Sequence, residues 1–564
     1  MSYREKYEQW LNSDYFDEKT KEELRSLEGN EKEIEDRFYM DLTFGTAGLR
    51  GKIGAGTNRM NKYTVSLATQ GLADTIKEFG KKAMSSGVAI AYDCRHFSDE
   101  FAEIAALVLA ANGIKVYLFE GLRPTPELSF AIRKLHTISG IVITASHNPK
   151  DYNGYKVYWE EGSQILDDIA EKILKNINNI KDFSEVKSID REAALGKGLL
   201  NMIGKEIDDE YIDKVKKLSL NEDVDKEIKL VYTPLNGTGN IPVRRVLRER
   251  GFKNVFVVPE QENPDPDFTT VGYPNPEDFA AFEYAKRLGS KVNADILIAT
   301  DPDCDRLACM VKKNDGDYIP LNGNQTGALL VNYILTSRKA QGSIPANGAI
   351  VKSIVTGDLS KAIAKEHGVS TIETLTGFKH ICGKANEFDK TGEYTFLFGY
   401  EESIGYVYDT IVRDKDGVIS SMLLTEMAAY YKKKGKNLLE VLEELYEKYG
   451  YYSEKLVSIV LEGIEGKNRI DRIMEYFRKS HLNKIGESNL VKVIDYLFDE
   501  ETGTPKSNVL KYIFDDECWF AIRPSGTEPK IKIYIYSKAH SKKESLNKID
   551  SIEKLITQII NSVE

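Results

Sequence analysis

Three aspartates on alternate residues form the clearest candidate for a site of chemistry. Asp301, Asp303 and Asp305 lie in the segment DPDCDR, directly after the apolar run DILIAT, which is typical of a buried strand. Three negative charges in one turn need a positive counterpart, and carboxylate oxygens favour Mg²⁺, Mn²⁺ or Ca²⁺ over zinc or copper. A calcium-binding EF-hand loop is excluded, because its sixth and twelfth positions would be Arg306 and Lys312 instead of Gly and Glu. The alternative is an acidic surface turn.

A second candidate is Ser146, in the segment TASHNP at 144–149. It follows the apolar run GIVI and precedes a His, an Asn and a Pro that would end regular structure. A serine hydroxyl is a weak nucleophile until a base or a metal activates it, and a phosphoserine would offer a metal ion an anionic oxygen. His147 is a candidate proton carrier, and Lys156 could balance phosphoryl charge or transfer a proton. A hydrogen-bonding loop histidine and a solvent-facing lysine are the ordinary alternatives.

Two further loops contain groups suited to a phosphorylated sugar. In FGYEES, the adjacent carboxylates and hydroxyl of 401–403 could bind sugar hydroxyls, or could mark the acidic start of a helix. The segment RPSGTEPK combines a guanidinium, two hydroxyls, a glycine and a lysine, at Arg523, Ser525, Gly526, Thr527 and Lys530. Such a combination is suited to binding a phosphate group.

The glycine-rich segment FGTAGLRGK at 44–52 is not a P-loop. Its glycine spacing is wrong, and Ile53 stands where Ser or Thr must follow Lys52. Arg50 in this segment remains a candidate for binding an anion.

The strand and helix patterns predict the fold class. Apolar, β-branched runs that end in polar loops alternate with helical periodicities up to about residue 445, which predicts α/β domains with buried sheets. Ligands in such open sheets bind beyond the carboxyl ends of the strands, where these polar loops lie. From about residue 450 the pattern changes to alternating strands and a last helix that begins with the capping-box residues Ser541 and Glu544. We therefore expect a smaller α+β domain at the end.

Length and composition limit the possible functions. A chain of 564 residues predicts three to five domains. The net charge of −11 disfavours a nucleic-acid partner, since binding a phosphate backbone needs a basic face. We expect neither a membrane span nor a secretory signal, because there is no run of 18 apolar residues and the first residues are charged and aromatic. The five scattered cysteines, with no CxxC pair, favour a reducing cytoplasm.

The segments TASHNP, DPDCDR, EES and RPSGTEPK occur in this order, and together they resemble the α-D-phosphohexomutase superfamily. The resemblance runs from about residue 40 to the end. FGTAGLRG near the start and TLTGFK at 374–379 are similar to the phosphoglucomutase branch of that superfamily. The resemblance implies three related mixed α/β domains and a C-terminal α+β domain resembling the TATA-binding-protein fold, around a central cleft. The expected boundaries are 1–205 with an N-terminal helical extension, 206–315, 316–447 and 448–564.

The resemblance also implies roles for the candidate residues. The phosphoryl group would be carried by Ser146. One Mg²⁺ per chain would be held by Asp301, Asp303, Asp305 and Ser146. The transferred phosphoryl group would be stabilised by Arg50 and Arg306, and protons would be transferred by Lys156 and His147. The substrate would be bound by Glu401, Ser403 and Lys379 and, at the phosphate not in transfer, by Arg523, Ser525, Gly526, Thr527 and Lys530.

The activity implied is the interconversion of glucose 1-phosphate and glucose 6-phosphate, with glucose 1,6-bisphosphate as intermediate and activator. Two departures from related sequences leave phosphomannomutase and phosphopentomutase activity as alternatives. Tyr400 interrupts the pattern GEES, and Phe378 stands where many relatives have His. A metal-dependent sugar-phosphate phosphatase and a non-catalytic sugar-phosphate sensor are more remote alternatives. We expect a cytoplasmic monomer or homodimer whose partner is a hexose phosphate.

Overall fold

The computed structural model describes residues 1–461, 463–479, 482–525 and 530–563, without the side chains of 463 and 464. The described residues belong to two compact units. The first unit comprises Met1–Asn322, Cys382–Gly399 and Ser403–Gly435. The second comprises Gly323–Ile381, Tyr400–Glu402 and the chain from Lys436 onwards.

Residues 1–40 form three short helices, α1 (Tyr3–Asn12), α2 (Glu18–Arg25) and α3 (Glu31–Phe38). Each begins at a polar residue whose side chain accepts a hydrogen bond from a backbone N–H of the first turn, at Ser2, Asp17 and Asn30. Their apolar faces meet around Trp10, which is 1% exposed.

The first sheet lies within residues 49–203. Its elements are β1 (Leu49–Lys52), α4 (Lys62–Glu78), α5 (Lys81–Ser86), β2 (Val88–Tyr92), α6 (Ser98–Ala111), β3 (Val116–Phe119), α7 (Thr125–Leu135), β4 (Ser139–Ile143), β5 (Tyr152–Trp159), α8 (Asp167–Asn179), α9 (Arg191–Gly196) and β6 (Leu200–Ile203). The strand order is β1-β5-β4-β2-β3-β6, in which β5 is antiparallel to both neighbours and the other pairs are parallel. Apolar residues of the strands and of helices on the sheet form one buried core.

The second sheet lies within residues 205–321. Its elements are α10 (Lys205–Lys217), β7 (Lys229–Thr233), α11 (Asn240–Glu249), β8 (Asn254–Val257), α12 (Pro259–Glu262), α13 (Glu283–Val292), β9 (Ile296–Thr300), β10 (Leu307–Lys312) and β11 (Tyr318–Leu321). The order is β11-β10-β9-β7-β8. Strands β8, β7 and β9 are parallel, and β10 is antiparallel to β9 and β11. The turn between β9 and β10 is the segment DPDCDR.

The third sheet has the strand order β13-β12-β14-β15. The elements of residues 323–449 are α14 (Gly323–Ala340), β12 (Gly348–Ser353), α15 (Leu359–Glu366), β13 (Ser370–Thr374), α16 (Phe378–Thr391), β14 (Thr395–Glu401), β15 (Gly405–Tyr408), α17 (Gly417–Lys433) and α18 (Leu438–Tyr449). Strands β12 and β13 pair in parallel, as a strand–helix–strand crossover through α15 requires.

The described part of the chain after Tyr449 forms an antiparallel sheet of order β16-β21-β20-β19-β18-β17. Its elements are β16 (Tyr451–Val460), α19 (Gly463–Lys479), β17 (Lys484–Ile485), β18 (Ser488–Asp495), β19 (Leu510–Phe514), β20 (Trp519–Pro524), β21 (Lys530–Ala539) and α20 (Lys542–Ser562). Isoleucines and aromatic residues of the sheet pack against α19 and α20 in a separate core.

The predicted fold class is confirmed, because the described residues contain three α/β sheets followed by an antiparallel sheet with its own helices. The expected domain boundaries stay a prediction. Among the described residues, every helix is too short or too polar to cross a lipid bilayer.

Candidate active site

Ser146 lies in the loop between β4 and β5, and its side chain faces the aspartate turn. The Ser146 hydroxyl donates a hydrogen bond to Asp301 Oδ2 at 2.6 Å, and the serine is 3% exposed. Its backbone has a φ of 51°, a left-handed conformation that is uncommon for a residue with a Cβ. The predicted proximity of the serine and the triplet is thus confirmed.

The unusual loop conformation is held by a residue that the sequence analysis missed. The buried guanidinium of Arg95 donates hydrogen bonds to four backbone carbonyls of this loop and of β5, those of Ser146, Asn148, Pro149 and Tyr152. Asp93 accepts a hydrogen bond from the Thr144 hydroxyl at 2.6 Å. Both residues follow the strand VAIAY, so the polar end of that strand was the signal for them.

The three aspartates lie close enough to hold one cation. Each offers a carboxylate oxygen within 4.8 Å of the others, and all three residues are buried. Asp303 Oδ1 and Asp305 Oδ1 are buried without a hydrogen-bond partner among the described residues. Gly237 allows the turn to approach, because a Cβ there would lie 2.5 Å from Pro302. Buried carboxylate oxygens without partners fit a hard divalent cation.

Two buried lysines contact the triplet from other strands and loops. Lys156 on β5 donates a hydrogen bond to Asp303 Oδ2 at 2.9 Å, and Lys415 Nζ lies 3.2 Å from Asp305 Oδ2. Lys156 is 5% exposed, so the alternative of a solvent-facing lysine is wrong. Lys415 was missed, because the charged loop RDKDG after β15 is typical of a protein surface.

The pKa values show that negative charge is in excess. Burial, together with the charges of Asp303 and Asp305, raises the pKa of Asp301 well above its usual value. Burial acts in the same direction on Asp303, but Lys156 holds the pKa of that carboxyl below its usual value. Crowded, buried carboxylates of this kind fit a divalent cation.

His147 lies beside the serine, and the charges of two arginines act on its ring. His147 Nδ1 lies 3.1 Å from Ser146 Oγ. Burial and the positive charges of Arg306 and Arg50 lower the pKa of His147 well below its usual value, so its ring is neutral near pH 7. Arg50 Nη1 donates to Asn148 Oδ1 at 3.1 Å, in the serine loop. Arg306 Nη1 donates to the Ser403 carbonyl at 3.2 Å.

Of the remaining described candidates, Ser403 belongs to the first unit, whereas Glu401, Lys379, Arg523, Ser525 and Lys530 belong to the second. Glu401 Oε1 accepts a hydrogen bond from the Gly377 N–H at 2.7 Å, and Arg523 Nη1 donates to the Thr376 hydroxyl. The segment TLTGFK thus contacts both Glu401 and Arg523. Lys379 lies in the first turn of α16. Ser525 N–H donates to the Lys530 carbonyl at 2.8 Å, while Gly526 and Thr527 lie outside the described residues.

Solved structures with the same fold are phosphohexomutases. A Paramecium phosphoglucomutase, pp63/parafusin in its open form, superposes with a TM-score of 0.71 at 19% identity, over 93% of this chain and 95% of that chain. A putative phosphomannomutase from Thermus thermophilus superposes with a TM-score of 0.68 at 24% identity, over 92% and 99%. These superpositions show that this chain shares the fold of phosphohexomutase structures.

Sequence comparison gives the family. Models of domains I, II and III of phosphoglucomutase/phosphomannomutase match residues 41–183, 209–316 and 322–449. A phosphoglucomutase of Staphylococcus haemolyticus is 37% identical over 539 residues, covering 94% of each chain. One of Staphylococcus aureus strain MSSA476 is 38% identical over 535 residues, covering 93% of this chain and 94% of the relative. The chain belongs to the phosphoglucomutase/phosphomannomutase family.

Proposed function

We propose that this enzyme interconverts glucose 1-phosphate and glucose 6-phosphate through a phosphoserine at Ser146. The observation that carries the proposal is the 2.6 Å hydrogen bond from Ser146 Oγ to Asp301, because it places a nucleophile beside a candidate metal site. The names of the relatives, phosphoglucomutases at 37% and 38% identity, support glucose as the sugar.

The phosphoryl group is transferred twice. In the first step the bond between Ser146 Oγ and phosphorus breaks, a bond from phosphorus to O6 of glucose 1-phosphate forms, the O6 proton passes to a base, and Ser146 Oγ takes up a proton. The product is glucose 1,6-bisphosphate. In the second step the bond from O1 to phosphorus breaks, Ser146 Oγ gives up its proton to a base and receives the phosphoryl group, and O1 takes up a proton. Glucose 6-phosphate remains.

The residues around Ser146 suit these steps. His147 accepts or returns a proton at Nδ1, because its ring is neutral near pH 7 and this nitrogen lies 3.1 Å from Ser146 Oγ. Lys156, in contact with Asp303, is the second candidate for proton transfer. Arg50 and Arg306 bring positive charge to the transferred group, and positioning with charge neutralisation is the main source of catalysis in phosphoryl transfer.

We propose Mg²⁺ as the metal, one ion per chain, held by Asp301, Asp303, Asp305 and the phosphorylated Ser146. The two buried aspartate oxygens without hydrogen-bond partners fit such an ion. When bound, the ion supplies positive charge that neutralises the phosphoryl oxygens.

Substrate binding requires one set of residues for the sugar hydroxyls and another for the phosphate that is not being transferred, because the bisphosphate must present each of its phosphates to Ser146 in turn. We assign the sugar hydroxyls to Glu401 and Ser403, and we assign Lys379 of the segment TLTGFK to substrate binding as well. We assign the phosphate not in transfer to Arg523, Ser525, Gly526, Thr527 and Lys530. Tyr400 is 1% exposed and donates to Ser360 Oγ at 2.7 Å, and Phe378 is 4% exposed. Tyr400 and Phe378, the two residues that depart from related sequences, are therefore buried. We keep glucose as the proposed sugar over mannose and ribose.

A cytoplasmic location also belongs to this proposal. All five cysteines lie in the described residues and carry free thiols, which agrees with a reducing compartment. A monomer and a homodimer are both compatible with this activity.

The test is the variant Ser146→Ala, with Ser85→Ala as its control because Ser85 is an exposed serine of the same unit. We expect Ser146→Ala to form no glucose 6-phosphate while its affinity for glucose 1-phosphate stays within about threefold of the wild type, a difference under 1 kcal/mol. Ser85→Ala keeps the wild-type rate. Normal turnover by Ser146→Ala, or release of inorganic phosphate by the wild type at the rate of substrate loss, contradicts the proposal. Rates of the wild type on glucose, mannose and ribose 1-phosphates decide the sugar.

A further inference from the structure

The N-terminal helices α1–α3 lie before the matched family models, which begin at residue 41. They have a core of their own, formed by Tyr7, Trp10, Phe16, Leu24, Ile34, Phe38, Ala55 and Tyr63. Trp10 stacks on Phe16 with ring centroids 4.2 Å apart, and both contact Tyr63 of α4 edge-on. The helices are thus packed against α4 within the first unit. Through Ala55, their core also includes the loop that follows β1.

Two side chains of these helices hold both backbone polar groups of Ala55. Glu23 Oε1 accepts a hydrogen bond from the Ala55 N–H at 3.0 Å, and Arg37 Nη1 donates to the Ala55 carbonyl at 3.1 Å. Arg37 Nη1 also donates to Glu23 Oε1 at 2.5 Å. Ala55 is 2% exposed, and buried backbone groups without partners are costly. We call Glu23 and Arg37 the clamp pair.

Helix α3 holds the next residues of the same loop. The Arg37 carbonyl accepts a hydrogen bond from the Asn58 N–H at 2.9 Å. Arg59, which is 4% exposed, lies between two carboxylates of α3, 3.2 Å from Glu33 and 2.5 Å from Asp36. Ala55, Asn58 and Arg59 of this loop therefore form hydrogen bonds with the N-terminal helices.

The same loop fixes both ends of the segment that contains Arg50. The Leu42 N–H donates to the Thr57 carbonyl at 2.8 Å, and the Met60 N–H donates to the Lys52 carbonyl at 2.8 Å. Leu42 precedes FGTAGLRGK, and Lys52 ends it. Arg50 lies between these two anchors, on a strand of four residues.

We propose that Glu23 and Arg37 are positioning residues for Arg50, and that the N-terminal helices thereby set the rate of phosphoryl transfer. The inference rests on the proposed function, because it assumes that Arg50 stabilises the transferred phosphoryl group. Charge stabilisation of a transition state requires placement to within a fraction of an ångström, so a loosened anchor lowers kcat more than it weakens substrate binding.

The test compares Glu23→Ala with Glu18→Ala. Glu18 lies on the same helix α2, where it forms an exposed ion pair with Arg25, and its side chain is 69% exposed. We expect Glu23→Ala to lower kcat by about 10- to 100-fold with KM within about twofold, and Glu18→Ala to change neither. Glu23→Gln, which retains an oxygen acceptor for the Ala55 N–H, gives a smaller loss in the same direction. Circular dichroism and the melting temperature select variants that are folded at the assay temperature.

Combination with Arg50→Ala separates positioning from general destabilisation. If the clamp pair acts through Arg50, Arg50→Ala slows turnover and adding Glu23→Ala slows it no further, so the two effects are not additive. This inference is overturned if the losses of kcat in the two single variants multiply in the double variant. It is also overturned if folded Glu23→Ala keeps the wild-type kcat while Arg50→Ala is slow. Both outcomes leave the proposed function intact. A normal kcat in Arg50→Ala overturns both the inference and the assignment of Arg50.

Discussion

Two clusters of charged residues, one in each unit, contain buried lysines and differ in how their charges balance. The first contains three aspartates and two lysines, Asp301, Asp303, Asp305, Lys156 and Lys415. The second contains two of each sign, Lys352, Lys511, Asp358 and Glu373. In the first cluster burial and like charges raise the pKa of an aspartate, whereas in the second the carboxyl pKa values are lowered.

The second cluster satisfies its own charges. Lys352 is 0% exposed, and its Nζ lies 3.0 Å from Asp358 Oδ1 and 3.2 Å from Glu373 Oε1. Lys511 donates to the Ile354 carbonyl at 2.7 Å and lies over the ring of Trp519, whose Nε1 donates to Asp358 at 2.8 Å. Opposite charges in contact offset the cost of burying Lys352 and Lys511. This cluster is structural.

The comparison shows why burial of charge is not enough to indicate a catalytic site. Both clusters bury charged side chains, yet the aspartate triplet has three buried carboxylates for two lysines, whereas the second cluster has two carboxylates for two lysines. Charged side chains that are paired with each other need no further partner. Buried carboxylates in excess over the lysines near them indicate a site for a cation.

The largest expected effect concerns the cluster that contains the aspartate triplet. Removal of divalent cations with a chelator stops turnover, because the triplet then repels the phosphoryl group, and added Mg²⁺ restores it. The wild type also melts at a higher temperature with Mg²⁺ than without, since a ligand that binds only the folded state stabilises it. Asp303→Asn loses most of this shift. Full activity in excess chelator contradicts the metal assignment.

The next largest effect concerns the second cluster, around Lys352. Lys352→Met leaves the partly buried carboxylates of Asp358 and Glu373 without their main partner, which lowers the free energy of unfolding by about 3 kcal/mol, the lower end of the cost of breaking a buried ion pair. Lys361→Met is the matched control, because Lys361 is 57% exposed and lies 3.7 Å from Glu373. The control changes stability by at most about 1 kcal/mol. Chemical denaturation followed by tryptophan fluorescence measures both, and equal effects would show that the cluster does not depend on Lys352.

The smallest effect is a pH dependence. The positive charges of Lys352 and Lys511, acting against burial, lower the pKa of Glu373 from 4.5 to about 2, so its stabilisation is complete above pH 4.5 and is lost as pH falls towards 2. Glu373→Gln is less stable than the wild type by about 1–3 kcal/mol at pH 7. The difference shrinks between pH 4.5 and pH 2. Glu487→Gln, at an exposed position, stays close to the wild type throughout. If the difference in stability between the wild type and Glu373→Gln grows on acidification, this prediction is contradicted.

The local sequence predicted the parts of the site that follow strands. Apolar runs located the turns of Ser146 and Asp301, and Ser541 accepts from the Glu544 N–H at the start of α20, as its position indicated. Lys415 and the clamp pair were not predicted, because their contacts join residues far apart in the chain. Lys352 was not predicted either, since lysines are rarely buried and the sequence does not show which carboxylates will surround it.

The central claim, a phosphoryl group on Ser146 held beside the aspartate triplet, can be measured directly. The protein is incubated with glucose 1,6-bisphosphate and Mg²⁺, and the phosphorylated residue is identified by mass spectrometry of the intact chain and its peptides. We expect one phosphoryl group, located on Ser146, and none in Ser146→Ala or in the presence of a chelator. A phosphoryl group on another residue, or an unmodified chain that still turns over, would contradict the account.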